Sequence, residues 1–133
     1  MILQSKRSDR RGGALIEFAV CLPVLMLLIL GSIEATSAVF LKESLNAAAY
    51  ESIREAARTT SSTDSAKALG TAVLDARLVK NAAIVFEPAD IRTAVRGSIV
   101  RVTVSAPIRG NSPFIGNVIT DRVLQVQSFM IKE

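Results

Sequence analysis

Two adjacent glycines, Gly12 and Gly13, and a carboxylate four residues further on, Glu17, stand at the head of a long apolar run. These residue types at this spacing suit one reaction and one charge pairing. Glycines carry no side chain and let a hydrolytic enzyme reach the backbone, while Arg10 and Arg11 just before them would hold that backbone at a membrane face. Hydrolysis of the Gly12–Gly13 bond would leave an ammonium at Gly13 and make Glu17 the fifth residue of the new chain. In a low-dielectric setting the ammonium and the carboxylate attract strongly, within one chain or between neighbours staggered along a bundle. The acid needs such a partner. No residue from Phe18 to Ile33 is charged, and the mostly apolar span from Ala14 to Ile33 is twenty residues, about the length that crosses a ~30 Å hydrocarbon core as a helix. A carboxylate inside such a span costs on the order of a few kcal/mol and is read as functional.

Three processing routes fit a basic flank followed by an apolar run. A secretory signal has a shorter apolar stretch and a small-residue cleavage site after it; Thr36-Ser37-Ala38 offers one, and the secreted chain would begin near Val39. That route leaves Glu17 without a purpose. An uncleaved single-pass anchor, carrying an exported domain that binds a ligand or a cell-wall component, explains the length of the run but not the paired glycines. A leader cut on the cytoplasmic side explains the basic residues, the glycines and the acid together. This reading divides the chain into a cytoplasmic leader (1–12), a transmembrane stretch (13–33) and an exported domain (34–133).

Gly12 to Val20, then Leu22-Pro23 and a leucine-rich run, resemble the start of TadE-like pseudopilins. The likeness continues through Ile33-Glu34, Leu45, Ala47 to Ala49, Glu51 and Arg54 to Arg58, similar to the family's extension of the same helix. More weakly, Val100 to Pro107 and Val126 to Ser128 look like its two recurrent strands. The resemblance implies a minor pilin-like subunit of the Tad/Flp tight-adherence pilus in the bacterial inner membrane, with its N-terminus cytoplasmic and its domain outside. It implies a prepilin peptidase that matures the chain, and a companion pseudopilin and the major Flp pilin as partners. Gly12 and Gly13 take the processing site and Glu17 the pairing role in assembly. The doubled glycine also allows cleavage after Gly13, which would make Glu17 the fourth residue; the family spacing favours Gly12.

Charge points away from nucleic acid. The net charge of the 133 residues is +4, and residues 1–12 alone hold four cations, Lys6, Arg7, Arg10 and Arg11, against Asp9. The remaining surplus is too small for a phosphate-binding surface, whereas a basic cluster beside an apolar helix keeps its end in the cytoplasm. Histidine is absent and the one cysteine, Cys21, lies in the apolar run. The exported part therefore has no thiol for an internal disulfide, and the commonest general base and metal ligand is missing. No paired carboxylates, nucleophile motif, phosphate-cradling loop or metal-ligand cluster is present. The expectation is a peptidase substrate, not an enzyme, with no cofactor and no metal.

The elements that must position these residues follow from periodicity. One helix is expected from about Ala14 to Arg58, bent at Pro23, where the proline nitrogen cannot donate to the carbonyl of Ala19. In its second half Leu41, Leu45, Ala48, Ala49, Ile53, Ala56 and Ala57 recur at helical spacing and form a narrow core-facing stripe. The polar run Thr59–Asp64 leads into a second helix with Leu69, Val73 and Ala76 on its apolar side, flanked by Leu74 and Leu78, weakened by Gly70 and closing near Lys80-Asn81. The period then becomes two, and strands are expected at Ala83–Glu87, Ser98–Ala106 and Val123–Ile131, with a loop at Arg109–Asn117. The sum is an α+β, pilin-like unit: a long N-terminal helix, and a second helix packed on a three-stranded antiparallel sheet.

Overall fold

The computed structural model describes residues 10–114 and 122–133. Most of the expected leader and the end of the Arg109–Asn117 loop lie outside the described residues. The chain forms two compact units whose boundary falls between Ile33 and Glu34.

Helix α1 spans Arg10–Ala57 and continues through Pro23 without interruption. It starts four residues earlier than the apolar pattern suggests and takes in both glycines. Within the first unit every residue from Gly12 to Ile33 is exposed, and the Ser32 hydroxyl donates to the carbonyl of Leu28 in the preceding turn at 2.7 Å. A helix that is apolar all round, with its interior hydroxyl bonded back to its own turn, suits a surrounding without water.

In the second unit the same helix becomes one-sided. Leu41, Leu45, Ala48, Ala49, Ile53, Ala56 and Ala57 are all buried, the stripe that their spacing predicts. Against them lies a sheet in the order β1 (Ala83–Glu87), β2 (Ile99–Pro107), β3 (Val123–Ile131), antiparallel throughout. The central strand begins and ends one residue later than expected. Its inward residues Val100, Val102, Val104 and Ala106 are fully buried, with Phe86 opposite Val102 and Val126 opposite Val104. Burial of each such valine contributes about 1.5–3 kcal/mol. A short 3₁₀ turn at Ile91–Thr93, unforeseen from periodicity, drives Ile91 into the same core. The described residues are thus α+β, with two α-helices and a three-stranded antiparallel sheet.

Helix α2 (Thr63–Ala76) opens on a reciprocal cap: the Ser62 hydroxyl accepts from the backbone of Ser65, and the Ser65 hydroxyl accepts from that of Ser62. Its buried face corrects the expectation in part. Leu74 turns inward and Val73 packs half-buried against the core as expected, but Ala66 and Gly70 join them, whereas Leu69 is 45% exposed and Ala76 and Leu78 face solvent. The reason is distance between helices. A Cβ built on Gly70 would collide with the Ser52 hydroxyl of α1 and approach Ile84 Cδ1 to 2.7 Å and the Ala48 carbonyl to 3.3 Å. α2 comes so close at Gly70 that no side chain fits there, and Gly70 is the contact itself rather than a weak point in a helix.

The end of α1 is tied to the end of the chain. Lys132, only 6% exposed, donates from Nζ to the carbonyls of Ala56 (2.9 Å) and Arg58 (2.5 Å), and the Glu133 amide donates to the carbonyl of Ala57 at 2.9 Å. The last carbonyls of a helix carry partial negative charge and lack intrahelical donors, so a buried ammonium finds both its counter-charge and its hydrogen bonds there. Lys132→Met keeps the stem and removes the donors. It is expected to lower unfolding stability by about 1–3 kcal/mol, because two carbonyls lose their partner. Chemical denaturation of the detergent-solubilised chain measures this.

Candidate processing and assembly site

Gly12, Gly13 and Glu17 all lie on the first turns of α1 and all are exposed. A side chain added at either glycine would meet nothing within 4 Å, so neither is required by packing. Gly13 and Glu17 are four residues apart on a helix, which places them on one face about 6 Å apart along the axis. Glu17 forms no ion pair with any described side chain. It is an acid on an exposed apolar helix, adjacent to the position where hydrolysis would put an ammonium. The first turn contains no acidic residue, and the sequence puts two arginines there, at the positive end of the helix dipole. These two features and the low helix propensity of glycine leave the start of α1 with little intrinsic stability.

A second acid, Glu34, holds a position whose role the apolar run does not announce. Its carboxylate is 9% exposed and accepts from the Ser112 hydroxyl and from the Phe114 amide at 3.3 Å. It thus ties the 112–114 loop to α1 within the second unit. A signal for it exists in the chain: Glu34, Leu41 and Ala48 are seven residues apart, so the acid falls in phase with the core stripe and a buried, partnered carboxylate follows. Asn111 works beside it. Its side-chain oxygen accepts from the Lys80 amide at 2.7 Å, and its nitrogen donates to the carbonyls of Lys80 (2.9 Å) and Pro107 (2.8 Å). The segment after α2 and the loop after β2 are thereby held together.

Residues 12–58 match the family described as TadE-like protein. Over this segment the chain is TadE-like. The matched segment corresponds almost end to end to α1, from Gly12 to the residue after its last turn. The likeness covers the long helix alone, and a helix of this length and apolar character fits a single-pass membrane protein. α2 and the sheet lie beyond the match. Neither the curated proteins nor the solved structures yield a match to the chain.

Proposed function

We propose that the chain is a precursor matured by hydrolysis of the Gly12–Gly13 bond, and that the mature TadE-like subunit takes part in assembling a Tad/Flp adhesive pilus. Water adds across the amide, leaving a carboxylate on Gly12 in the released leader and an ammonium on Gly13 of the retained chain. The observation that carries the proposal is Glu17, an acid in an apolar helix with no described partner, one helical turn from the new terminus. The low stability of the first turn serves the cut, since a peptidase takes its substrate extended and two helical glycines cost about 1 kcal/mol each relative to alanine. After cleavage the ammonium stands at the positive end of the helix dipole, which disfavours it, and the Glu17 carboxylate offsets that. Pairing within one subunit stores the terminus; pairing with a neighbour sets axial register. A bend at Pro23 would shape the lateral packing of such helices. The subunit's own contribution is structural rather than catalytic, with a prepilin peptidase, a companion pseudopilin and the major Flp pilin as its partners in the inner membrane.

Intact-mass measurement of the membrane-extracted protein from its host tests the proposal. Loss of residues 1–12 is the expected result. An intact N-terminus overturns it in favour of an uncleaved single-pass protein, and a start near Val39 would indicate release by signal peptidase. Gly12→Leu is expected to leave full-length precursor in the membrane with processing lowered at least about tenfold, because a branched side chain blocks approach to a bond that binding must place within about 1 Å. Immunoblotting of precursor and mature bands reads this directly.

A further inference from the structure

Leu78 occupies a position that favours glycine. α2 ends in a full two-bond C-terminal cap: the Val79 amide donates to the carbonyl of Leu74 at 3.0 Å and the Leu78 amide to that of Asp75 at 3.0 Å, with Leu78 in the left-handed conformation at φ 58°. Such caps place glycine there because a Cβ is disfavoured in this region. Leucine there adds strain, and its side chain gains nothing from the core, being 83% exposed.

The exposed leucine borders a cleft of about 370 Å³ in the second unit, with Phe40 and Pro113 as further apolar walls and Arg77 and Lys80 as cations. Phe40 is itself 53% exposed. The cleft is built, not incidental: Asn111 clamps the backbone of Lys80, and Glu34 holds the adjoining loop at Ser112 and Phe114. Glu34 follows directly in sequence on the apolar stretch that ends at Ile33. Phe40 is six residues further along the helix, about 9 Å, and helical side chains lean toward the N-terminus.

We propose that this cleft is a docking site for anionic phospholipid, with Leu78 and Phe40 entering the interfacial layer and Arg77 and Lys80 meeting the phosphates. The chemistry matches on both counts, since apolar side chains beside basic ones bind at the boundary of headgroups and acyl chains. A strained, exposed leucine is then explained by what it touches outside the fold. The inference rests on the reading that α1 crosses a membrane.

The chain contains no tryptophan, so a single introduced indole reports on one place. The full chain carrying Leu78→Trp is reconstituted in vesicles of phosphatidylcholine with phosphatidylglycerol, in which some lipids bear a nitroxide at the headgroup. Expected quenching is at least about twofold greater than for Phe129→Trp, a position 71% exposed on the far side of the sheet, because the interfacial layer places indole and nitroxide together. Arg77→Gln with Lys80→Gln in the Leu78→Trp background should roughly halve that quenching, since each cation near an anionic surface adds attraction. Leu78→Gly should raise thermal stability, as glycine suits the cap, and a Phe40→Trp reporter in that background should lose quenching relative to Phe40→Trp alone. Equal quenching at positions 78 and 129 overturns the proposal. So does an indole at 78 that is shielded from water but not quenched by lipid, which would indicate a protein partner. Leu28→Trp is the control for the underlying reading: if it too escapes quenching by nitroxides placed on the acyl chains, the membrane-crossing helix has failed rather than the cleft.

Discussion

Gly70→Ala is expected to destabilise the α+β unit by about 1–3 kcal/mol, although alanine is the better helix former by about 1 kcal/mol. The added methyl has no free volume: it meets the Ser52 hydroxyl on one side, Ile84 Cδ1 at 2.7 Å on another and the Ala48 carbonyl at 3.3 Å. The carbonyl belongs to the α1 backbone and yields only if the helices move apart. Gly70→Val extends the clash to two further methyls and is expected to lose more than about 3 kcal/mol, the scale of severe overpacking. The partner residue makes the argument specific. Ser52 is fully buried and its hydroxyl has no hydrogen-bond partner among the described residues, so Ser52→Ala alone should be neutral or mildly stabilising, because removing an unsatisfied buried hydroxyl relieves its desolvation penalty. In the Ser52→Ala background part of the Gly70→Ala penalty should vanish, the part that remains coming from Ile84 and the Ala48 carbonyl. A double-mutant cycle by denaturant unfolding in detergent reads the coupling. Additive effects would mean that α2 does not approach α1 at this point.

Glu17→Gln is expected to lower pilus assembly by about 10- to 100-fold while leaving membrane insertion and leader removal intact. The glutamine keeps the shape and removes the charge, so under the proposed maturation the Gly13 ammonium would lose its counter-ion. Leaving one member of a buried pair unpaired costs about 3–5 kcal/mol when burial is complete. A site near the end of a membrane helix is partly reached by headgroups, and a loss of about 1.4–2.8 kcal/mol corresponds to the stated range. Insertion has the opposite sign, because taking a carboxylate out of an apolar span favours the bilayer. Quantifying sheared pili against membrane-bound mature subunit separates the two effects. Equal piliation of variant and wild type would refute the pairing, and loss of the mature band would place Glu17 in peptidase recognition instead.

The TadE-like match ends where α1 ends, and this limits what the family resemblance explains. It covers the glycines, the acid and the apolar span. α2 and the sheet lie outside the match, and so do most residues lining the cleft, Leu78, Arg77 and Lys80 among them.

Periodicity alone makes much of the architecture legible. The stripe from Leu41 to Ala57 and the alternation of Val100, Val102 and Val104 mark buried faces because local geometry, 3.6 residues per turn or two per strand repeat, decides which side chains share a side. Gly12, Gly13 and Glu17 are legible for the same reason, being close in sequence and on one helix. Hydropathy reads α2 in part. It finds Val73 and Leu74 but also favours Leu69 and Ala76, which face solvent, and misses Ala66 and Gly70, since a close approach at Gly70 is set by the absence of a side chain and not by hydropathy. Three further features join residues far apart in the chain: the Lys132 ammonium on the carbonyls of Ala56 and Arg58, the Glu34 carboxylate on Ser112 and Phe114, and the Asn111 clamp on Lys80. Sequence determined which faces of the chain must leave water and where a helix of bilayer-crossing length lies. Only the tertiary structure decided which buried charges meet which orphan backbone groups, because such pairings depend on the return path of the chain and leave no periodic trace.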